Sequence, residues 1–234
     1  VIQRASYFAP GMAIAYGHSI DAEPHKHPLW QVCLPSADSL LNEQSLKGGA
    51  VIKPNEIHQL SMPNGWVILA EPESLLGEAI SELPMRLPFV NADARLEILF
   101  EQLGEFPELV SAMKNNPYHC RDERLARLLE RLNRCFGVDC MKPEAWRAKE
   151  VAEWLALSES RFLHVVKAEL GIAWRPYLLW RRLICAIETI KRGKSATEAA
   201  HLAGFSDSAH LSRTIKSTFG MTGTQLLSSF QDLN

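Results

Sequence analysis

The second half of this chain repeats itself. A shift of 49 residues lays Phe162, Val166, Lys167 and Gly171 on Leu211, Ile215, Lys216 and Gly220. A shift of 48 lays Ala152 and Ser158 on Ala200 and Ser206, so the second copy carries one extra residue near Gly204-Phe205. Self-similarity at a fixed spacing is the mark of one supersecondary unit used twice. Each copy reads as helix, tight turn, helix. In the first copy a helix over 147–155 turns Val151, Ala152 and Leu155 inward, and Ala156-Leu157 leads to Ser158, whose hydroxyl suits an N-cap. The next helix buries Phe162, Val165, Val166 and Leu170. At about 100° per residue its opposite face carries Ser160, His164 and Lys167, flanked by Leu163 and Arg161. In the second copy Ser195-Ala196-Thr197-Glu198 has the capping-box pattern, Gly204 supplies the turn, and Ser206 or Asp207 caps the last long helix. That helix is expected to bury Leu211, Ile215 and Phe219 and to turn Arg213, Lys216 and Ala209 outward, with Ser212 and His210 on the flanks.

Charge separates the two halves. Residues 1–120 carry a net −7 and residues 121–234 a net +5. An acidic half followed by a basic one points to a polyanion partner for the second half. A helix fits the major groove, and side chains near its N-terminal half reach base edges. Arg213 can pair with guanine, His164 and Ser160 can make single hydrogen bonds, and Leu163 can touch a thymine methyl. Lys167 and Lys216 sit where phosphate neutralisation is expected. A solvated face of an ordinary helical domain is the competing reading, and two matched units weigh against it.

Residues 152–226 resemble the DNA-binding domain of the AraC/XylS family. The matching elements are Ala152, Ser158, Phe162 and Lys167-x-Glu169-Leu170-Gly171, then Tyr177, Arg182 and Ala186, then Ala200, Ala203-Gly204-Phe205-Ser206-Asp207, Ser212-Arg213 and Phe219-Gly220. The resemblance implies two helix-turn-helix modules joined by a long helix, here 175–191, whose recognition helices enter successive major-groove faces. It places base contacts at Ser160, Leu163 and His164 and at Ser208, His210, Ser212 and Arg213. Three departures stand out. Arg147 occupies a cap position usually held by Ser or Thr, Ala199 replaces a bulky aliphatic residue, and Gly223, Leu226 and Leu227 replace the usual proline and aromatic-arginine pair. These departures put the C-terminal helix in question.

The first half has another texture. Short apolar runs at 12–16, 29–34, 49–52 and 66–70, separated by Pro, Gly, Asn and Asp, predict β-strands up to about Pro84. From Ala92 the period becomes helical, with Leu96, Leu99, Phe100 and Leu103, then Leu109, Val110 and Met113, and Asn115-Asn116-Pro117 breaks this pair. A third helix is expected from Asp122 to about Cys135, with Leu125, Leu128, Leu129 and Leu132 on one face. The expected architecture is α+β: a cupin-like β-barrel sensor domain over 1–84, linking or dimerising helices over 85–118, and an all-α DNA-binding domain over 119–234.

Three histidines mark the first domain: His25-x-His27, and His58 after Gly48-x₅-Pro54-x₃. Alternate strand residues share a face, so His25 and His27 can meet a third imidazole from a neighbouring strand, with Gln31 or water completing a site for Zn²⁺, Ni²⁺ or Mn²⁺. The pattern resembles a cupin, although Gln31 stands where cupin enzymes carry a carboxylate and Glu56 replaces a glycine. Sensor cupins often keep the fold without metal, so histidines lining a small-molecule pocket are the alternative. His18 is the weaker candidate, and Trp30 and Trp66 are expected in the core.

The five cysteines are scattered without C-x-x-C spacing, which fits reduced thiols in a cytoplasmic protein. No apolar run approaches the roughly 18 residues of a membrane span. The expectation is a transcription regulator and not an enzyme, with double-stranded DNA as partner and a small molecule or metal as effector. Homodimerisation is a further expectation, as is contact with RNA polymerase if the protein activates. The alternative is a metal-dependent cupin enzyme fused to a DNA-binding domain.

Overall fold

The computed structural model describes residues 6–88, 93–115, 120–134 and 146–230. The chain divides into two compact units, one of residues 1–118 with 215–234 and the other of residues 119–214. No helix among the described residues is long and apolar enough to cross a membrane.

The first unit is built on an antiparallel sheet. Its strands are β1 (Ser6–Ala9), β2 (Met12–Asp21), β3 (Trp30–Pro35), β4 (Ser39–Leu41), β5 (Gln44–Leu46), β6 (Gly49–Ile52), β7 (Leu60–Ala70) and β8 (Arg86–Leu87). They pair in the order β1-β2-β7-β3-β6-β8, and β4 pairs with both β5 and β7. The long β7 organises the sheet. One edge pairs with β2 from Met12↔Ala70 to Asp21↔Ser61. The other edge is shared by β3, from Trp30↔Ala70 to Pro35↔Gly65, and by β4 at Leu40↔Ser61 and Leu41↔Leu60.

Alternate residues Met12, Ile14 and Tyr16, Val32 and Leu34, and Trp66, Ile68 and Ala70 meet three helices in one core. The helices are α1 (Leu75–Ser81), α2 (Leu96–Gln102) and α3 (Pro107–Asn115). They contribute Leu76 and Ile80, then Leu99 with Leu103 just beyond α2, then Leu109, Ala112 and Met113. The alternate positions Ala13, Cys33 and Leu69 are buried too. Covered on both faces, the strands read as continuous apolar runs and not as alternation. Trp66 is core as expected, whereas Trp30 only packs against it in part.

Helix α1 corrects the expectation of strands and turns up to Pro84. Its seven residues are too few for a 3.6-residue period to stand out. Its start is nonetheless encoded, because the Ser74 hydroxyl accepts from the Gly77 N–H at 3.0 Å. The short strands β1, β4, β5 and β8 also lay below the sequence signal. The expected onset at Ala92, the break at Asn116-Pro117, and Cys135 and Cys140 lie outside the described residues.

The remaining helices are α4 (Glu123–Asn133), α5 (Ala148–Trp154), α6 (Glu159–Leu170), α7 (Trp174–Lys191), α8 (Ala196–Leu202), α9 (Ser208–Phe219) and α10 (Gly223–Ser229). The apolar face of α4 consists of Leu125, Leu128, Leu129 and Leu132, all buried. Its C-terminal carbonyls find a partner in the buried Arg181 of α7. The guanidinium donates to Leu132 O at 3.0 Å, Asn133 Oδ1 at 2.9 Å and the Tyr177 hydroxyl at 2.8 Å. Cys185 of α7 is disulfide-bonded, which corrects the expectation of reduced thiols throughout. Cys33 and Cys120 are free.

Two details at the C-terminus differ from the sequence reading. Phe219 is only partly buried, and Thr214 takes an inward place on α9 instead. The helix α10 forms despite the missing proline, because Thr222 and Gln225 make a capping box, the same device that starts α8 at Ser195 and Glu198.

These turns and caps have measurable consequences for stability. Gly204 sits at φ 79°, in the left-handed region, so Gly204→Val is expected to destabilise the 119–214 unit by about 1–2 kcal/mol. An unchanged denaturant midpoint would contradict that geometry. At α4, Asp122 Oδ1 accepts from the N–H groups of Arg124 and Leu125. The Arg124 side chain and these N–H groups hold the Asp122 carboxyl down at about 2. A depressed folded-state value means the contribution is complete above the unfolded value of about 4 and is lost as pH falls through about 2. Asp122→Ala should therefore cost about 1 kcal/mol at pH 7, and melting curves of the two proteins should converge in strong acid.

Candidate functional site

Two groups of residues carry chemistry: the exposed faces of α6 and α9, and the histidine cluster beside the sheet. Ser158 caps α6 by accepting from the Arg161 N–H at 3.3 Å. With Phe162, Val165, Val166 and Leu170 buried, the helix presents Ser160, Arg161, Leu163, His164 and Lys167 to solvent. Leu163 is 38 % exposed on this otherwise polar face. The Lys167 ammonium turns back to the Gly171 carbonyl at 2.6 Å, closing the C-terminus of its own helix.

Helix α9 begins in a polar knot. Asp207 Oδ1 accepts from the His210 N–H at 2.6 Å, and the Ser206 hydroxyl lies 3.0 Å from Asp207 Oδ2 and 3.1 Å from His210 Nδ1. The His210 ring stands edge-on to Phe205, with centroids 5.2 Å apart. This fixes an imidazole at the first turn of the helix. The His210 N–H, then the Ser206 hydroxyl, hold the Asp207 carboxyl below its usual range, with Arg213 adding to the effect. Ser212, Arg213 and Lys216 are exposed and Ser208 is half-buried. Lys216 Nζ lies 3.0 Å from Glu23 Oε1.

His25, His27 and His58 come together, but not by the expected route. Neither His25 nor His27 lies in a named strand. Pro24 and Pro28 lie in the segment that links β2 to β3, and proline has no N–H to give a ladder. What remains is an isolated antiparallel bridge between His25 and His58. Its two backbone hydrogen bonds measure 3.0 Å and 2.9 Å. The ring centroids are 4.2 Å apart for His25 and His58, 5.1 Å for His27 and His58, and 5.9 Å for His25 and His27.

Each ring spends one nitrogen on a hydrogen bond. His25 Nδ1–H donates to Glu23 O at 2.8 Å, His58 Nδ1–H to Glu56 O at 3.0 Å, and His27 Nε2–H to Gln31 Oε1 at 2.8 Å. Backbone carbonyls fix the tautomers of His25 and His58, and with Gln31 Oε1 accepting from His27 the nitrogens left over are His25 Nε2, His27 Nδ1 and His58 Nε2. The latter two are buried without a hydrogen-bond partner. Gln31, expected as a possible further ligand, contacts His27 here. Its carbonyl oxygen is taken by His27, while its amide donates to Cys33 Sγ at 3.0 Å. Gln31 and Cys33 follow one another on one face of β3, so the strand period itself aligns this chain of contacts.

Burial first, then the nearby His58, pushes His25 down to about 4. Burial does the same to His27 against the opposing effect of Gln31, and lowers His58 against Glu56. All three are therefore neutral at pH 7, the form that binds metal. One donor atom from each lies within 4.8 Å of the others. Tetrahedral zinc with imidazole nitrogens at about 2.0–2.1 Å needs donors about 3.3 Å apart, so small side-chain rotations would close the set. Three imidazoles suit Zn²⁺ or Ni²⁺ better than the oxygen-preferring Mn²⁺. His18, by contrast, stays on β2 beside Tyr16, with ring centroids 5.1 Å apart. The sequence reading missed the contacts of Glu23, Glu56 and Cys33 with this cluster. Glu23 and Glu56 act through backbone carbonyls that any residue could supply, which leaves no trace in a pattern of side chains.

Residues 151–229 match the helix-turn-helix domain family. The probable transcriptional regulator LumQ of Photobacterium leiognathi is 28 % identical over 152 residues, covering 58 % of this chain and 61 % of LumQ. The chain thus spans about three-fifths of the length of that curated relative. Among solved structures, ToxT from Vibrio cholerae O395 superposes with a TM-score of 0.51 at 13 % identity, covering 95 % of this chain and 98 % of ToxT. A second ToxT crystal form gives 0.51 at 12 %, covering 94 % and 99 %. At these identities the likeness is one of fold: an N-terminal β-rich domain followed by helix-turn-helix modules. The repeated, capped modules and the family match agree that residues 151–229 form a helix-turn-helix domain.

Proposed function

We propose that this protein is a transcription regulator that binds duplex DNA through α6 and α9 and is controlled by an effector held in the N-terminal unit. The observation that carries the DNA reading is the pair of capped helices with exposed polar faces, each in a matched helix-turn-helix module. Ser160, Leu163 and His164 on α6, and Ser208, His210, Ser212 and Arg213 on α9, are the proposed base-reading residues. Arg161, Lys167 and Lys216 are the proposed phosphate contacts.

The proposed effector is a divalent transition metal on His25, His27 and His58. The support is the convergence of three imidazoles, each with one ring nitrogen left over from its hydrogen bond. Zn²⁺ or Ni²⁺ would hold the 25–27 segment to His58, and Gln31 would orient His27 as an outer partner. An organic acid is the rival occupant, since a ToxT structure with a TM-score of 0.50 is described as bound to (E)-4-(8-methylnaphthalen-1-yl)but-3-enoic acid. The enzyme reading has less support, because the cluster offers no carboxylate ligand among the described residues.

Titration of a duplex pool with the full chain should show affinity falling steeply with salt. After selection of a preferred site, Arg213→Ala is expected to relax one base pair at a cost of about 1–3 kcal/mol, while Arg161→Ala weakens all sequences alike. Salt-independent binding would refute this assignment. For the metal, chelator-stripped protein should take up one Zn²⁺ per chain and melt higher, by about 2.7 kcal/mol of stabilisation at a hundredfold excess over Kd. His58→Ala should abolish both effects, and Gln31→Leu should weaken affinity about 10–100-fold. Uptake that survives His58→Ala would place the metal elsewhere, and stabilisation by carboxylic acids without any uptake would favour the rival.

A further inference from the structure

We infer that Glu23 is a relay joining the histidine centre to the last turn of α9, so that metal occupancy withholds Lys216 from DNA. This rests on the metal reading above and adds the route by which that metal would act.

Glu23 makes three contacts at once. Its carbonyl accepts from His25 Nδ1–H at 2.8 Å, which fixes the tautomer that leaves Nε2 for a metal. Its N–H donates to the Gly220 carbonyl at 2.9 Å, immediately after α9. Its carboxylate holds the Lys216 ammonium at 3.0 Å. One residue thus touches the proposed metal ligand through its backbone and a proposed phosphate contact through its side chain.

Gly220 shows how close this approach is. It sits at φ 68°, and a Cβ there would lie 2.2 Å from Glu23 O and 2.6 Å from His25 Nδ1. Only a residue without a side chain lets the end of α9 rest against the hydrogen bond that orients His25. The ion pair itself is exposed, with Glu23 at 66 % and Lys216 at 49 %, and contributes little to stability. Its consequence is competition, because an ammonium engaged by Glu23 cannot neutralise a phosphate.

Metal and DNA are therefore coupled with opposite sign. The arrangement that gathers the three imidazoles is the one in which Glu23 holds Lys216. A metal selects that arrangement, whereas DNA draws Lys216 out of it. Each ligand opposes the other, and by linkage the effect is reciprocal.

The test uses the full chain, either chelator-stripped or loaded with Zn²⁺, and a mixed-sequence duplex titrated at several salt concentrations. Zn²⁺ is expected to weaken wild-type binding several-fold and to make the log–log salt slope shallower by about 0.9, the value of one lost phosphate contact. Glu23→Gln removes the anion but keeps the carbonyl, so this variant should bind Zn²⁺ with no change of slope. Gly220→Ala, remote from any metal ligand in sequence, should weaken Zn²⁺ affinity about 10-fold through the displaced His25. The relay is overturned if wild-type protein binds both Zn²⁺ and DNA with an unaltered slope, or if Glu23→Gln keeps the full response to Zn²⁺. Failure to take up Zn²⁺ at all would overturn the metal reading and the relay with it, and failure to bind DNA in the stripped state would overturn the regulator reading.

Discussion

The pair of backbone hydrogen bonds between His25 and His58 determines how the three imidazoles of the N-terminal unit meet. These bonds join two segments that are not parts of regular strands, because Pro24 and Pro28 on one side and Pro54 on the other prevent a continuous ladder. A continuous ladder would have placed the rings in a regular row. The single bridge instead leaves the backbone irregular enough for three rings to tilt toward one another, while the Glu23 and Glu56 carbonyls stay free of the sheet and available to the imidazoles. The unusual local backbone and the chemistry of the cluster have one origin.

The helical modules depend on a different constraint, the satisfaction of helix ends. Ser158, Ser195, Asp207 and Thr222 each accept from an N–H of the following turn. Arg147 starts α5 with no side-chain bond to the helix amides. These caps fix where each helix begins, and so which side chains reach the exposed first turns of α6 and α9. At α9 the cap is part of the surface, because Asp207 and Ser206 hold His210 in place.

Much of the second half was legible because its code is local. A cap, an apolar stripe and a turn glycine lie within a dozen residues, and the repeat states the pattern twice. On α6 the inward residues Phe162, Val165, Val166 and Leu170 fall where a 3.6-residue period puts them. Helix α9 departs from that rule at its end. Phe219 follows the period but is only partly buried, while Thr214 is buried, with its hydroxyl returned to the His210 carbonyl at 2.9 Å. A threonine that satisfies its own hydroxyl within the helix can face inward, which composition alone does not signal.

The sequence by itself determined the duplicated helix-turn-helix, the positions of its exposed side chains and the identity of the three histidines, because each depends on residues close together in the chain. Only the tertiary structure decided that the three imidazoles converge, that Gln31 pairs with His27, and that Glu23 reaches both His25 and Lys216. Those outcomes depend on carbonyl groups common to every residue and on contacts between segments far apart in sequence, such as Glu23 with Gly220. A one-dimensional pattern carries side-chain identity and local period, and hydrogen bonds between distant backbones leave no mark in either.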